Sequence, residues 1–460
     1  MQAILIFVAL HLVMLLSSIN SSAISVAFPN ITSDYNTSLV LAGWVLSIYQ
    51  LVAVCAMVLM GKVSDVLGRK KTFLICTGLF VTGSIFAALS PNIILLIFSR
   101  FIQSVGGGGI LPATMGIIVE LFPHHRHRAI GIGMSIFNIG GIIGPNIGGW
   151  LVTSFGWKSI FWFNVPFGIL AMIPLFLLLK SEPGKKSHID FAGAGYFSAF
   201  LFSFMIGLSQ LAHSESSTGW LITAALFTAS TIFLAIFIRH ELKAREPLVE
   251  LDLFRLKPFA AANVYNFIFG ACIFGFSSFI PLYAVAVYNM TTIQSSYVLM
   301  ARAIGMIVAS TTSGFFLVSW GYRRPMLLGS VIVSLCLLLL GAEFSGINLL
   351  GTEINSVILI SAIALVMGLG MGIATPASNN ACLDLMPHRA STITGVRGMF
   401  RQSGGAIGIA IITLILQYVG NFTTGFHVVF LSTGIIVLIT VPFIFAMPDK
   451  AAPLPSGAQT

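Results

Sequence analysis

Gly61-Lys62-Val63-Ser64-Asp65-Val66-Leu67-Gly68-Arg69-Lys70-Lys71 is a short charged stretch between two long apolar runs, residues 40–60 and 72–90. Its two glycines allow the chain to turn tightly where two helices end. Asp65 is placed to pair with a nearby base or to cap a helix N-terminus. About 20 apolar residues cross a hydrocarbon core of about 30 Å as an α-helix, so the stretch reads as the loop of a membrane-spanning hairpin. The remainder of the chain has the same character. Of its 460 residues 57% are hydrophobic and 8% charged, with a mean hydropathy of +0.98, whereas a soluble domain carries about 25% charged residues. A soluble enzyme, a disordered chain, a collagen and a disulfide scaffold are excluded. A β-barrel would show short alternating strands instead.

Fourteen spans are predicted, at approximately 4–28, 40–60, 72–90, 93–119, 129–152, 159–179, 190–212, 219–238, 259–288, 295–317, 326–343, 354–380, 392–417 and 425–446. The even number places both termini on one side. Of the 23 Lys and Arg residues, Arg100, Arg302, Arg397 and Arg401 fall within spans and Lys158 lies in an odd-numbered loop; the other eighteen follow even-numbered spans or lie in the C-terminal tail. The positive-inside rule makes those loops and both termini cytoplasmic. The net charge of +9 is therefore an orientation device, and no nucleic-acid partner is expected. Cys55, Cys76, Cys272, Cys336 and Cys382 sit in apolar runs at no paired spacing and read as packing residues. The first run, Ile4 to Ala27, is too long for the core of a cleavable leader and is expected to stay as the first span.

The chain repeats itself. At an offset of 264, Gly106, Gly108, Pro112, Pro123, Gly140 and Gly144 fall on Gly370, Gly372, Pro376, Pro387, Gly404 and Gly408. At an offset of 253, Gly61 and Gly68 fall on Gly314 and Gly321, and Lys70-Lys71 on Arg323-Arg324. The difference implies about eleven extra residues near Glu343 to Asn355. Spans 1–6 thus recur as spans 9–14 in parallel orientation, with spans 7 and 8 inserted, a transporter plan in which the site lies between the halves. The expected division is 1–180 (first six-helix bundle), 181–258 (two inserted helices with their loops), 259–447 (second bundle) and 448–460 (cytoplasmic tail).

Several polar or small residues stand out within the spans. Arg100 and Gln103 precede Gly106-Gly107-Gly108-Gly109 in span 4. An intramembrane guanidinium faces a wet cavity or a partner, or snorkels to the surface. Gly140, Gly144 and Gly148 lie one turn apart in span 5 beside Pro145 and Gly149; they make a flat strip for close packing and a surface on which two halves could rock. His124-His125-Arg126-His127 reads as a basic loop, since no carboxylate or cysteine completes a metal site. His11 could carry a proton or simply pack.

These motifs resemble those of the major facilitator superfamily over nearly the whole chain. The 61–71 loop is similar to its motif A, Arg100-x2-Gln103 to motif B, and the Gly-Pro strip of span 5 to its antiporter motif C; Trp44 and Tyr49 also follow the family's pattern. Fourteen spans resemble the drug:proton antiporter branch. The resemblance implies an all-α polytopic fold of two six-helix bundles plus two central helices, alternating access, and efflux of amphipathic compounds from a plasma membrane. The branch usually carries an aspartate in span 1, where this chain has Asn20, and no Asp or Glu falls in the middle of any span. The intramembrane charges are the four arginines, which point to neutral or anionic substrates or, alternatively, to carbonyl or lipid-phosphate contacts.

The central cavity is expected to be lined by spans 1, 4, 5, 9, 10 and 13, and the expected cavity or coupling residues are Asn20, Arg100, Gln103, Asn266, Arg302, Asn379, Arg401 and Gln402. Gly61, Asp65, Gly68 and Arg69 are the expected conformational latch; Gly140, Gly144, Pro145, Gly148 and Gly149 the packing hinge. The partners are a small molecule, membrane lipid and, if transport is coupled, protons. No cofactor, metal or enzymatic chemistry is expected: no nucleophile–base pair, zinc motif or phosphate loop appears. An importer or uniporter of a metabolite, and a non-transporting receptor on the same frame, are the competing readings.

Overall fold

The computed structural model describes residues 2–122, 126–179, 190–211, 217–244, 247, 249, 251–342, 348–349, 352–353, 356–383 and 390–449. The long helices are α1 (Gln2–Asp34), α2 (Leu39–Leu67), α3 (Arg69–Leu89), α4 (Ile93–Leu121), α5 (Arg126–Phe155), α6 (Ser159–Leu178), α7 (Phe191–Leu211), α8 (Ser217–Glu241), α9 (Lys257–Tyr288), α10 (Thr292–Trp320), α11 (Arg323–Gly341), α12 (Ser356–Leu383), α13 (Ala390–Val419) and α14 (Phe422–Ile439). A 3-10 turn covers Leu251–Arg255, and a short α15 (Val441–Phe445) extends α14. Thirteen of these helices are long and apolar enough to cross a membrane by length and composition; α5, of 30 residues, is the remaining long one. Helices dominate because lipid offers no partner for a bare backbone amide. The eleven-residue excess in the second half coincides with a two-stranded antiparallel ladder, β1 (Asn348–Leu349) and β2 (Thr352–Glu353).

Local chemistry sets the helix boundaries. The side chains of Ser38, Asn92 and Asn421 accept hydrogen bonds from the first-turn amides of α2, α4 and α14, the usual N-cap role. Among the described residues six have positive φ: Asn36, Gly68, Gly156, Asn289, Gly321 and Gly420. They form three repeat pairs. Asn36 and Asn289, and Gly68 and Gly321, are 253 residues apart, while Gly156 and Gly420 are 264 apart. The left-handed turns after the first, second and fifth helices of each half are therefore built at equivalent positions.

Packing repeats in the same way. In the first half α1 packs on α5 and α6, α4 on α2 and α3, and α3 on α6; in the second, α9 packs on α13 and α14, α12 on α10 and α11, and α11 on α14. Between lipid-facing helices there is no hydrophobic drive, so close approach of small residues supplies the contact. A Cβ on Gly106 would strike the α3 backbone and one on Gly108 the α2 backbone, while Gly370 and Gly372 meet α11 and α10 in the corresponding way. The halves meet along α2–α13, α5–α10 and α1–α9. The inserted α7–α8 hairpin lies beside this seam, with α7 against α2 and α13.

Candidate functional site

The first half holds a buried polar network that ties five helices together. Arg100 of α4 is 1% exposed. Its Nη1 donates to Gln103 Oε1 at 2.5 Å and its Nε to Val45 O of α2 at 3.2 Å. The guanidinium lies over the Tyr49 ring, 4.1 Å from its centroid, and 5.9 Å from that of Phe161. Gln103 Nε2 donates to Ser84 Oγ of α3 at 2.7 Å and to Asn20 Oδ1 of α1 at 3.3 Å. Asn164 Nδ2 of α6 donates to the same Asn20 oxygen at 3.0 Å. Among the described residues no carboxylate takes part. A delocalised, weakly hydrated guanidinium is accommodated by amide and carbonyl oxygens together with aromatic faces.

Snorkelling of Arg100 to the surface is thus not observed. Asn20, Arg100 and Gln103 are brought together, as expected, but inside the first bundle, with Asn20 and Gln103 wholly buried. Sequence reasoning misses Asn164 and Ser84. A signal for Asn164 exists, since it is the only amide or charged side chain in α6.

A second cluster lies in the other half. Asn266 of α9 accepts at Oδ1 from Arg397 Nη1 (3.3 Å, α13) and from Ser378 Oγ (3.4 Å, α12), and its own amide donates to Ala262 O at 2.7 Å. Arg401, one turn beyond Arg397, lies 5.8 Å from the Phe274 ring centroid. The Nε atoms of Arg302, Arg397 and Arg401 are buried without a hydrogen-bond partner among the described residues, although the three side chains are only partly buried overall. Asn379 and Gln402 are partly buried on α12 and α13. Of the eight residues, Asn20, Arg100 and Gln103 thus lie in the first bundle and Asn266, Arg302, Asn379, Arg401 and Gln402 in the second.

The Gly-Pro strip of α5 also divides. A Cβ on Gly140, Gly144 or Gly148 would enter α1 near Ser18, Ile19 and Ala23, so that strip holds α5 to α1 within one bundle. Pro145 is buried inside the same helix. Gly149 faces the other half, where its Cβ would come within 3.0 Å of Ser296 Cβ on α10. Other contacts between halves lie towards the same end: Leu39 N donates to Gln417 Oε1 at 3.1 Å, Phe28 meets Phe279 edge to face at 5.3 Å, and Gly43 faces Thr413. This is the end opposite the 61–71 loop.

In that loop Gly68 has φ +92° and separates α2 from α3. Arg69 Nη1 donates to Gly116 O of α4 at 2.5 Å. Gly61 lies inside α2, so of the two glycines expected to turn the chain only Gly68 does so; the side chain of Asp65, like His124 and His125, lies outside the described residues. His11 Nδ1–H donates to Phe7 O at 2.6 Å, and its Nε2 is buried without a partner among the described residues.

Comparison with known proteins agrees with this architecture. The chain is 27% identical over 419 residues to the multidrug transporter protein MdtP of Bacillus subtilis strain 168, covering 90% of this chain and 75% of that one. It is 28% identical over 418 residues to multidrug resistance protein 3 of the same organism, covering 89% and 79%. The fold superposes on the crystal structure of a point mutant of the nucleoside transporter NupG with a TM-score of 0.67 at 15% identity, over 96% of this chain and 99% of that one. The sequence profile of the Major Facilitator Superfamily matches residues 10–409 and 266–460. With its repeated bundles and multi-pass helices, the chain belongs to the Major Facilitator Superfamily and is a membrane transporter.

Proposed function

We propose that the protein exports amphipathic, drug-like small molecules across the plasma membrane by alternating access in exchange for protons, with both termini in the cytoplasm. The observation that carries this reading is similarity over about nine-tenths of the chain to proteins named for multidrug transport or resistance. The clustering of basic loops on one side supports the orientation. On that orientation the contacts made by Leu39, Phe28 and Gly43 close the outer end of the seam. We divide the chain into bundles at 1–180 and 259–447, an inserted pair at 181–258 and a tail at 448–460; the separate packing of the two helix sets supports this division.

Within this reading Arg302, Arg397 and Arg401 favour neutral or anionic substrates, because each presents a buried nitrogen that nothing among the described residues satisfies. Asp65 with Arg69 acts as the cytoplasmic latch, with Arg69 anchored on α4. The uncharged amide of Asn20 favours a second reading, facilitated movement without proton coupling, since a membrane carboxylate is the usual proton carrier. Purified protein in liposomes, with drug movement followed under an imposed pH gradient, separates them. Uphill drug movement driven by the gradient supports exchange; downhill movement indifferent to it overturns the coupling; no movement of any drug overturns export.

A further inference from the structure

Between the inserted hairpin and the second bundle lies a cavity of about 420 Å³ that is separate from both polar clusters. Phe197, Phe200 and Phe204 of α7 form one wall, Phe237 of α8 another, and Phe400 and Ser403 of α13 a third; Leu251 and Phe254 lie in the connecting segment. The cavity runs from the middle of α7 to the last turns of α8 and the segment after it, Val249 to Phe254. It uses a different face of α13 from Gly404 and Gly408, which lie on α9.

Two features describe the occupant. Phenylalanines make up nearly half the wall, and no charged side chain among the described residues contributes. Aromatic walls reward flat rings, whose faces and edges complement theirs. Among the described residues the single polar side chain in the wall is Ser403, 5% exposed, whose Oγ has no hydrogen-bond partner there. A buried hydroxyl left unpaired is unfavourable, so a molecule with one polar atom near Ser403 gains where a plain hydrocarbon does not. A lipid acyl chain carries no such atom and loses more conformational freedom on binding than a rigid ring system.

We propose that this cavity binds an uncharged, ring-bearing hydrophobic small molecule carrying one hydrogen-bonding group, held against Ser403. Its size lies within the range of small-molecule sites, about 300–1,000 Å³. The assignment is independent of the direction and coupling of transport, so the liposome assay above and the following test fail separately.

Benzophenone is the probe: two rings, one carbonyl acceptor, no charge, and photochemical insertion into neighbouring C–H bonds. The full-length protein in lipid nanodiscs is irradiated over a range of benzophenone concentrations, and insertion sites are located by peptide mass spectrometry. Saturable insertion at α7, α8 and α13 around Phe200, Phe237 and Met399 is expected. Ser403→Leu, which removes the hydroxyl and fills space, should lower insertion there about five-fold or more, the loss expected for one buried hydrogen bond. Ser403→Thr should retain it. Should Ser403→Leu not elute as folded protein, Leu201→Trp supplies a second space-filling variant. Insertion spread evenly over the lipid-facing helices, insertion confined to the Arg302–Arg401 cluster, or displacement by palmitic acid and not by diphenylmethanol would each overturn the assignment.

Discussion

Lys70 and Arg323 are repeat-equivalent residues, 253 positions apart, and each reaches the end of the sixth helix of its own half. Lys70 Nζ donates to Phe176 O at 2.8 Å and to Leu179 O at 2.5 Å, at the C-terminus of α6. Arg323 Nε donates to Met447 O at 2.9 Å, just beyond α15. The last carbonyls of a helix have no intrahelical donors and carry the negative end of its dipole. A cation placed there satisfies both. The adjacent glycines, Gly68 and Gly321, have positive φ and start the third helix of each half, so turn and clamp form one repeated unit. The basic pairs that read as orientation charges in the sequence also fasten a helix end.

Lys70→Gln and Arg323→Gln should each lower stability by about 1–2 kcal/mol, between the value of a dipole contact and that of a charge-assisted hydrogen bond. The check is thermal unfolding in detergent, read as exposure of the buried cysteines to a thiol-reactive dye; Cys76, Cys272, Cys336 and Cys382 are all buried. Because the two clamps lie in different bundles, their effects should add in the double variant. Unchanged midpoints in both single variants would remove the clamp role.

Asn20 accepts two amide donors on one oxygen, and its own Nδ2 is buried without a partner. Asn20→Leu abandons the amide of Asn164 and weakens that of Gln103, which keeps Ser84. A loss of about 1–3 kcal/mol is expected. Asn20→Asp presents an oxygen where the unpartnered nitrogen stood, keeps both acceptor bonds and adds attraction to Arg100, so its unfolding midpoint should equal or exceed that of the native protein. A midpoint for Asn20→Asp as low as that for Asn20→Leu would contradict this account of the network.

The helices, their repeat and their turns are legible in the sequence because the physics behind each is local. Lipid demands long apolar helices, and a left-handed turn selects Gly or Asn, as at Gly68 and Gly321. Two residues of the network around Asn20 are not legible: Asn164, which donates to it, and Ser84, which accepts from Gln103. Ser84 and Asn164 lie 64 and 144 residues from Asn20, and only the crossing of α1, α3 and α6 brings them together. For the same reason Gly140, Gly144 and Gly148 read as a surface but not as the surface of a particular neighbour. Their partner is α1 in the same bundle, whereas Gly149, one residue on, meets α10 of the other. One face of a helix is visible in a sequence; what covers it is not.

Arg100→Lys should not substitute. An ammonium is a compact point charge, whereas the guanidinium reaches Val45 O and Gln103 Oε1 at once while lying flat on Tyr49. The variant should lose about 2–3 kcal/mol, the value of a charge-assisted hydrogen bond, with reduced transport in liposomes. Native stability in Arg100→Lys would mean that charge alone suffices at this position.

Arg302→Ala tests the polarity of the second cluster. Its buried Nε has no partner among the described residues, so removal breaks no hydrogen bond seen there and stability should change by less than about 1 kcal/mol. Uptake of an anionic dye into inside-out vesicles should fall about ten-fold, and that of a lipophilic cation should not. Equal loss for both dyes would assign Arg302 to folding instead of selection.

The seam between the halves offers a test of movement itself. A Cβ built on Gly43 of α2 would lie 3.3 Å from the Cβ of Thr413 on α13, slightly inside the disulfide spacing of about 3.5–4.5 Å. Modest local adjustment lets a Gly43→Cys/Thr413→Cys pair close, and the bond joins the bundles at the end where Leu39 already meets Gln417. If transport requires this end to open, oxidation should abolish turnover, reduction should restore it, and each single variant should remain active under oxidant. The native cysteines lie within apolar helices and none is in a disulfide, so the engineered bond is read directly as a mobility shift on a gel. Full turnover with the cross-link formed would show that substrate passes without parting α2 from α13, and alternating access about this seam would be excluded.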